Sequence, residues 1–179
     1  MKSKMIYISI ALVMFSFVSC LKTPDDGISG EPKKIFVNEI SGNEKWLEIY
    51  NAENEAINLT GYTLQKIDDE GKVSDWSIPA GITIGGKGFI AWTQGDDKKE
   101  TFTWGITAQR DVAFKLFDNS GRMLDHFEVK MENNLYSKGN NRTVGRQTDG
   151  HPNLIIFLNR GTKNGSNNNG TPDPSTPRK

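Results

Sequence analysis

Three carboxylates stand where carboxylates are costly. Glu39, Glu48 and Asp125 lie in the stretches Val37-Asn38-Glu39-Ile40, Trp46-Leu47-Glu48-Ile49-Tyr50-Asn51 and Met123-Leu124-Asp125-His126-Phe127-Glu128-Val129. In an extended chain alternate side chains share a face. Glu48 therefore lies with Trp46 and Tyr50, and Asp125 with Met123, Phe127 and Val129. A carboxylate among bulky apolar neighbours must be hydrogen-bonded or paired. One chemistry that meets this need is a divalent cation bound through carboxylate oxygens. The other is internal, with each acid taken up by backbone N–H groups or a basic side chain. As catalytic acids they would need an exposed cleft, which is the reading of the chain as a hydrolase subunit.

Other groups point to binding more than to reaction. Lys138, Arg142 and Arg146 fall on a Gly- and Asn-rich segment, and three cations so placed can grip an acidic polymer. Of the four tryptophans, Trp46 and Trp92 have the apolar flanks of core residues. Trp104, in Phe102-Thr103-Trp104-Gly105 after a charged loop, is the candidate for a glycan platform. The acids Asp96, Asp97 and Glu100 lack the D-x-D-x-D-G spacing of a calcium loop. His126 and His151 have no neighbour spaced to complete a zinc site, and no G-x-S-x-G elbow occurs. No resident cofactor or metal is expected.

The elements that must position these groups are strands. Residues 34–40, 46–51, 57–59, 62–67, 73–78, 82–84, 89–92, 112–116 and 123–130 each read as a short β-segment, by period-two alternation or by apolar residues on both faces. Gly- and Asp-rich turns such as Asp68-Asp69-Glu70-Gly71 and Asp118-Asn119-Ser120-Gly121 separate them. No amphipathic helix with caps appears. This pattern predicts an all-β antiparallel sandwich or barrel, with residues 46–51 as an interior strand because both of their faces carry apolar groups.

The two ends differ from this middle. Lys2 and Lys4 precede an apolar run over residues 5–18, shorter than the roughly 20 residues that span a bilayer. Residues 1–19 are therefore expected to be a signal peptide. Phe17-Val18-Ser19-Cys20 resembles a bacterial lipobox, with Phe in place of the usual Leu, which implies that Cys20 is lipidated and becomes the mature N-terminus. Cys20 is the single cysteine, so no disulfide can form within one chain. Residues 20–32 read as a tether. Its Lys22 and Asp25-Asp26 resemble the acidic export signals of Bacteroidetes surface lipoproteins, which implies an outer-membrane, cell-surface location. Residues 161–179 contain no aliphatic or aromatic side chain. With the domain closing at 164, residues 165–179 are expected to be a disordered tail.

Charge argues against one class of partner. Loss of Lys2 and Lys4 with the signal leaves 20 Lys and Arg against 22 Asp and Glu, with no basic excess to drive counterion release from nucleic acid.

Several segments together resemble the lamin tail domain, the immunoglobulin-like domain of nuclear intermediate filaments that also occurs in bacterial surface proteins. Val37-Asn38-Glu39-Ile40, Trp46-Leu47-Glu48-Ile49-Tyr50-Asn51 and Asn58-Leu59-Thr60-Gly61-Tyr62-Thr63-Leu64 are similar to its opening. Ile78-Pro79-Ala80-Gly81-Ile82-Thr83-Ile84 and Gly88-Phe89-Ile90-Ala91 are similar to its middle. Asp111-Val112-Ala113-Phe114-Lys115-Leu116-Phe117-Asp118 is similar to its later hairpin. The resemblance runs over residues 34–164, placed within a domain of residues 33–164. It implies an immunoglobulin-like β-sandwich and a non-catalytic interaction role, with a protein or glycan partner and the membrane reached through Cys20. It carries no catalytic residue. The alternatives are an accessory domain or subunit of an extracellular hydrolase and, by analogy with the nuclear members, nucleic-acid binding.

Overall fold

A computed structural model describes residues 32–107, 110–130, 142–158 and 161–174. The signal peptide, nearly all of the tether, Cys20 and Lys138 lie outside the described residues. Nine strands follow the expected places: β1 Ile35–Ser41, β2 Trp46–Asn51, β3 Ile57–Asn58, β4 Thr63–Asp68, β5 Val73–Ser77, β6 Thr83–Ile84, β7 Phe89–Thr93, β8 Val112–Phe117 and β9 Met123–Val129. Three more lie among the described residues: β10 Thr143–Arg146, β11 Leu154–Leu158 and β12 Thr171–Pro172.

The strands form an antiparallel six-stranded sheet in the order β12-β11-β10-β1-β2-β7 and an antiparallel four-stranded sheet in the order β5-β4-β8-β9, with β3 and β6 paired separately. Leu47, Ile49, Val144 and Ile156 from the first sheet share one core with Leu64, Phe114, Leu116 and Phe127 from the second. This is an immunoglobulin-like sandwich. Residues 46–51 are interior as expected, paired to β1 on one side and β7 on the other.

A bulge in β1 sets up everything that follows. Val37 pairs with Ile49 and Glu39 with Glu48, so Asn38 and Glu39 together oppose one residue of β2. An extra residue breaks the alternation of faces. Val37 and Ile40 both point into the core, while Asn38 and Glu39 both turn to the outer face of the six-stranded sheet, where each bonds to groups on that face. Glu48 and Trp46 share this outer face, opposite Leu47 and Ile49.

The expectation of a disordered tail over residues 165–179 is corrected for residues 165–174, and residues 175–179 lie outside the described residues. Residues 161–170 lie across the outer face, Asn167–Asn169 make a single 3-10 turn, and β12 pairs with β11. Asn167 and Asp173 are buried. Composition misled here because the segment has no apolar side chain of its own to bury. Its order comes instead from covering groups that the sheet has already brought out of the core: the Trp46 and Phe157 rings and the Glu39 and Glu48 carboxyls, all fully buried.

Candidate functional site

On the outer face the sheet, the loop between β10 and β11 and the 161–170 segment together enclose a polar cluster. Glu39 and Glu48 are direct cross-strand partners. The Glu39 carboxyl accepts from Thr143 Oγ1 on one oxygen and from the Thr162 backbone N–H at 3.0 Å on the other. Glu48 accepts from Asn38 Nδ2 at 3.2 Å and from the Asn164 N–H at 2.6 Å. Asp149 holds the far side. It accepts from Asn38 Nδ2 at 3.1 Å, Ser166 Oγ at 2.5 Å and the Asn167 N–H at 2.9 Å.

One hydroxyl faces two acceptors in this cluster. Asn167 Nδ2 donates to the Arg146 and Asn38 carbonyls at 2.7 and 3.3 Å, so its Oδ1 is the atom that faces Thr162 Oγ1 at 2.9 Å. An amide oxygen only accepts, so this contact draws on the one hydroxyl proton of Thr162. Thr162 Oγ1 also lies 2.9 Å from Glu39 Oε2. With Glu39 ionised the hydroxyl serves one of the two oxygens at a time, whereas a proton on the Glu39 carboxyl lets both contacts be hydrogen bonds at once. Electrostatics agree. Burial raises the Glu39 pKa against the hydrogen bonds from Thr143 and Thr162, and Asp149 adds to the rise. Burial likewise pushes Glu48 up to about 8; the Asn38 hydrogen bond opposes this and the Glu39 charge reinforces it.

Glycines are required where the cover approaches the sheet. Gly161 has φ +64°, and a Cβ there would overlap Glu39 Oε1 and Thr143 Oγ1. A Cβ on Gly145 would sit 2.9 Å from Glu39 Cγ. Gly161→Ala combines a left-handed backbone with a buried clash, and it should cost about 1–3 kcal/mol. Chemical denaturation reads this directly. An unchanged urea midpoint would mean that Gly161 does not seat against Glu39.

The expected cation set does not assemble. Asp125 is engaged elsewhere, by a fork from Arg146 Nη2 at 2.8 Å to each of its oxygens and by the Val37 N–H at 2.7 Å. Among the described residues, no group of three His, Cys, Asp or Glu side chains is arranged to hold a metal ion. The carboxyl oxygens of Glu39 and Glu48 meet N–H and O–H donors, which a cation would have to displace.

The basic candidates are also corrected. Arg146 is the last residue of a strand and not a loop cation. Its side chain is only 5% exposed, with Nε donating to the Val37 carbonyl and Nη1 to that of His151, both at 2.8 Å. Its guanidinium lies between the Phe36 and Phe127 rings, 5.3 and 5.7 Å from their centroids. Arg142 pairs with the buried Asp173 at 3.0 Å. Trp104 is half-buried and gives its ring to the interior, stacked on Phe102 at 4.2 Å and tilted against Phe114 at 5.8 Å.

Reading the sequence located Glu39 and Glu48 and their need for partners. It missed the partners Asn38, Thr143, Asp149, Thr162, Asn164 and Asn167. The available signal was Leu154-Ile155-Ile156-Phe157-Leu158, an apolar run of strand length that extends the sheet well past β9.

The family model described as Lamin Tail Domain matches residues 29–131, which takes in β1 to β9. A search of curated proteins found no match.

Proposed function

Since this chain belongs to the lamin tail domain family, we propose that it serves as a non-catalytic interaction module, lipid-anchored in the bacterial cell envelope through Cys20. The observation that carries the reading is how fully the reactive-looking groups are engaged inside the fold. Glu39, Glu48, Asp125 and Arg146 all have internal partners, so none of them is presented to a substrate. Support for the anchor comes from Phe17-Val18-Ser19-Cys20, and for surface exposure from the acidic tether that follows. Two or more acyl chains hold a protein stably, at roughly 0.8 kcal/mol per buried CH₂. The partner is a protein or a glycan, and the nearly balanced charge argues against nucleic acid.

Two experiments test the two halves of this proposal. Cells fed a palmitate analogue should label the wild type and leave Cys20→Ala unlabelled; equal labelling would remove the anchor. Cross-linking in intact cells should recover a protein or glycan bound to the domain. Hydrolysis of a glycan or peptide by the purified chain alone would overturn the non-catalytic reading in favour of a hydrolase.

A further inference from the structure

We propose that residues 161–173 form a proton-controlled strap, seated on the outer face while Glu39 and Glu48 carry protons and lifting as they ionise, which uncovers Trp46 and Phe157.

Four observations carry this. First, the strap meets both carboxyls directly, since its Thr162 and Asn164 backbone N–H groups end on Glu39 and Glu48. Second, the chain of donors Glu39 to Thr162 to Asn167 closes only with a proton on Glu39. Third, Glu39 and Glu48 face each other across β1 and β2, so two charges there would repel in a site without solvent. Fourth, the strap's contacts outside this cluster lie along its β7 side and at its far end. Lys163 Nζ donates to Thr93 Oγ1 at 2.7 Å and lies 6.0 Å from the Trp46 ring centre. Asn164 Oδ1 accepts from the Ala91 N–H on β7, and the two-residue β12 and the Arg142–Asp173 pair hold its far end. Gly170 packs on Phe157, where a Cβ would come within 2.6 Å.

The charged groups around the cluster set the sign. Asp149, from the loop between β10 and β11, adds negative charge and favours protonated neighbours. Lys163 is the cation on the strap itself, and its ammonium is directed to Thr93 and Trp46. Glu44 accepts from Trp46 Nε1 at 3.1 Å. A carboxyl whose pKa is raised in the closed state, from 4.5 to about 8 for Glu48, favours closure fully below the lower value. That advantage fades as pH rises through the interval. Opening therefore becomes easier by about tenfold per pH unit for each proton released.

Hydrogen exchange on the full chain tests this. Protection of the Thr162, Asn164 and Asn167 amides, corrected for intrinsic exchange, should fall by about tenfold or more per unit between pH 5 and pH 8. Amides of β4 and β8 should not follow. In Glu39→Gln/Glu48→Gln the strap amides should lose this dependence. Flat protection in the wild type, or an equal fall in the double variant, would overturn the strap. Infrared spectra of the wild type supply a second reading that needs no variant. At pH 6.5, where exposed carboxylates are ionised, a protonated-carboxyl band should be present and should fade by pH 9. Its absence at pH 6.5 would also overturn the proposal.

Discussion

Arg146→Ala is expected to leave the domain barely folded. The guanidinium joins the two sheets at one end of the sandwich, reaching from β10 to Asp125 on β9 while donating to the carbonyls of Val37 and His151. Its removal strands a carboxylate of which only 9% is exposed and leaves two carbonyls without their donor. Breaking a buried ion pair from one side costs about 3–5 kcal/mol, out of roughly 5–15 kcal/mol for a whole domain. The fork geometry matters as well as the charge, because Lys cannot bridge both Asp125 oxygens and two carbonyls at once. Urea denaturation should rank wild type above Arg146→Lys and Arg146→Lys above Arg146→Ala. A wild-type midpoint for Arg146→Ala would show that the pair is ornamental.

Trp46→Ala should cost a similar amount, about 3–5 kcal/mol, as truncation of a large buried aromatic does. Trp46 is fully buried, although it faces away from the main core that Leu47 and Ile49 enter. Its cover is the strap, with Lys163 over the ring. The loss should therefore appear twice, as a lower unfolding midpoint and as faster exchange at Asn164 beside it. A Trp46→Ala protein that melts with the wild type would contradict the placement of Trp46 beneath the strap.

The legibility of this fold follows from which physical signal each segment carries. Strands β1, β2, β4, β8 and β9 were readable because alternation and turn residues agree with one another. The interior position of β2 was readable because Trp46 and Leu47, on opposite faces, both needed cover. The acids at 39 and 48 announced a need for partners without naming them, since, apart from Asn38, the partners of these two carboxyls lie 104 to 123 residues away and sequence spacing is blind to that distance. Arg146 was misread because glycines and asparagines precede it, while its strand is only four residues long. The 161–173 segment was misread for a deeper reason. Composition measures what a segment can bury of its own, and this one is ordered by what it buries of others.

The place of β10 has a consequence for how the domain is made. Glu39 pairs with Gly145, so the first strand and one of the last form the middle of the six-stranded sheet. Until residues 143–146 arrive, Ile35–Ser41 has one side of its backbone unpaired, and the loop to be closed spans most of the domain. Such a topology has high contact order, so closure is slow relative to local hairpins, and the waiting edge is open to pairing with another chain. A chain that emerges from its N-terminus thus carries its stickiest edge longest. The strap's anchors on β1, β10 and β11 stand together only once that edge has closed, so its docking can be completed only afterwards.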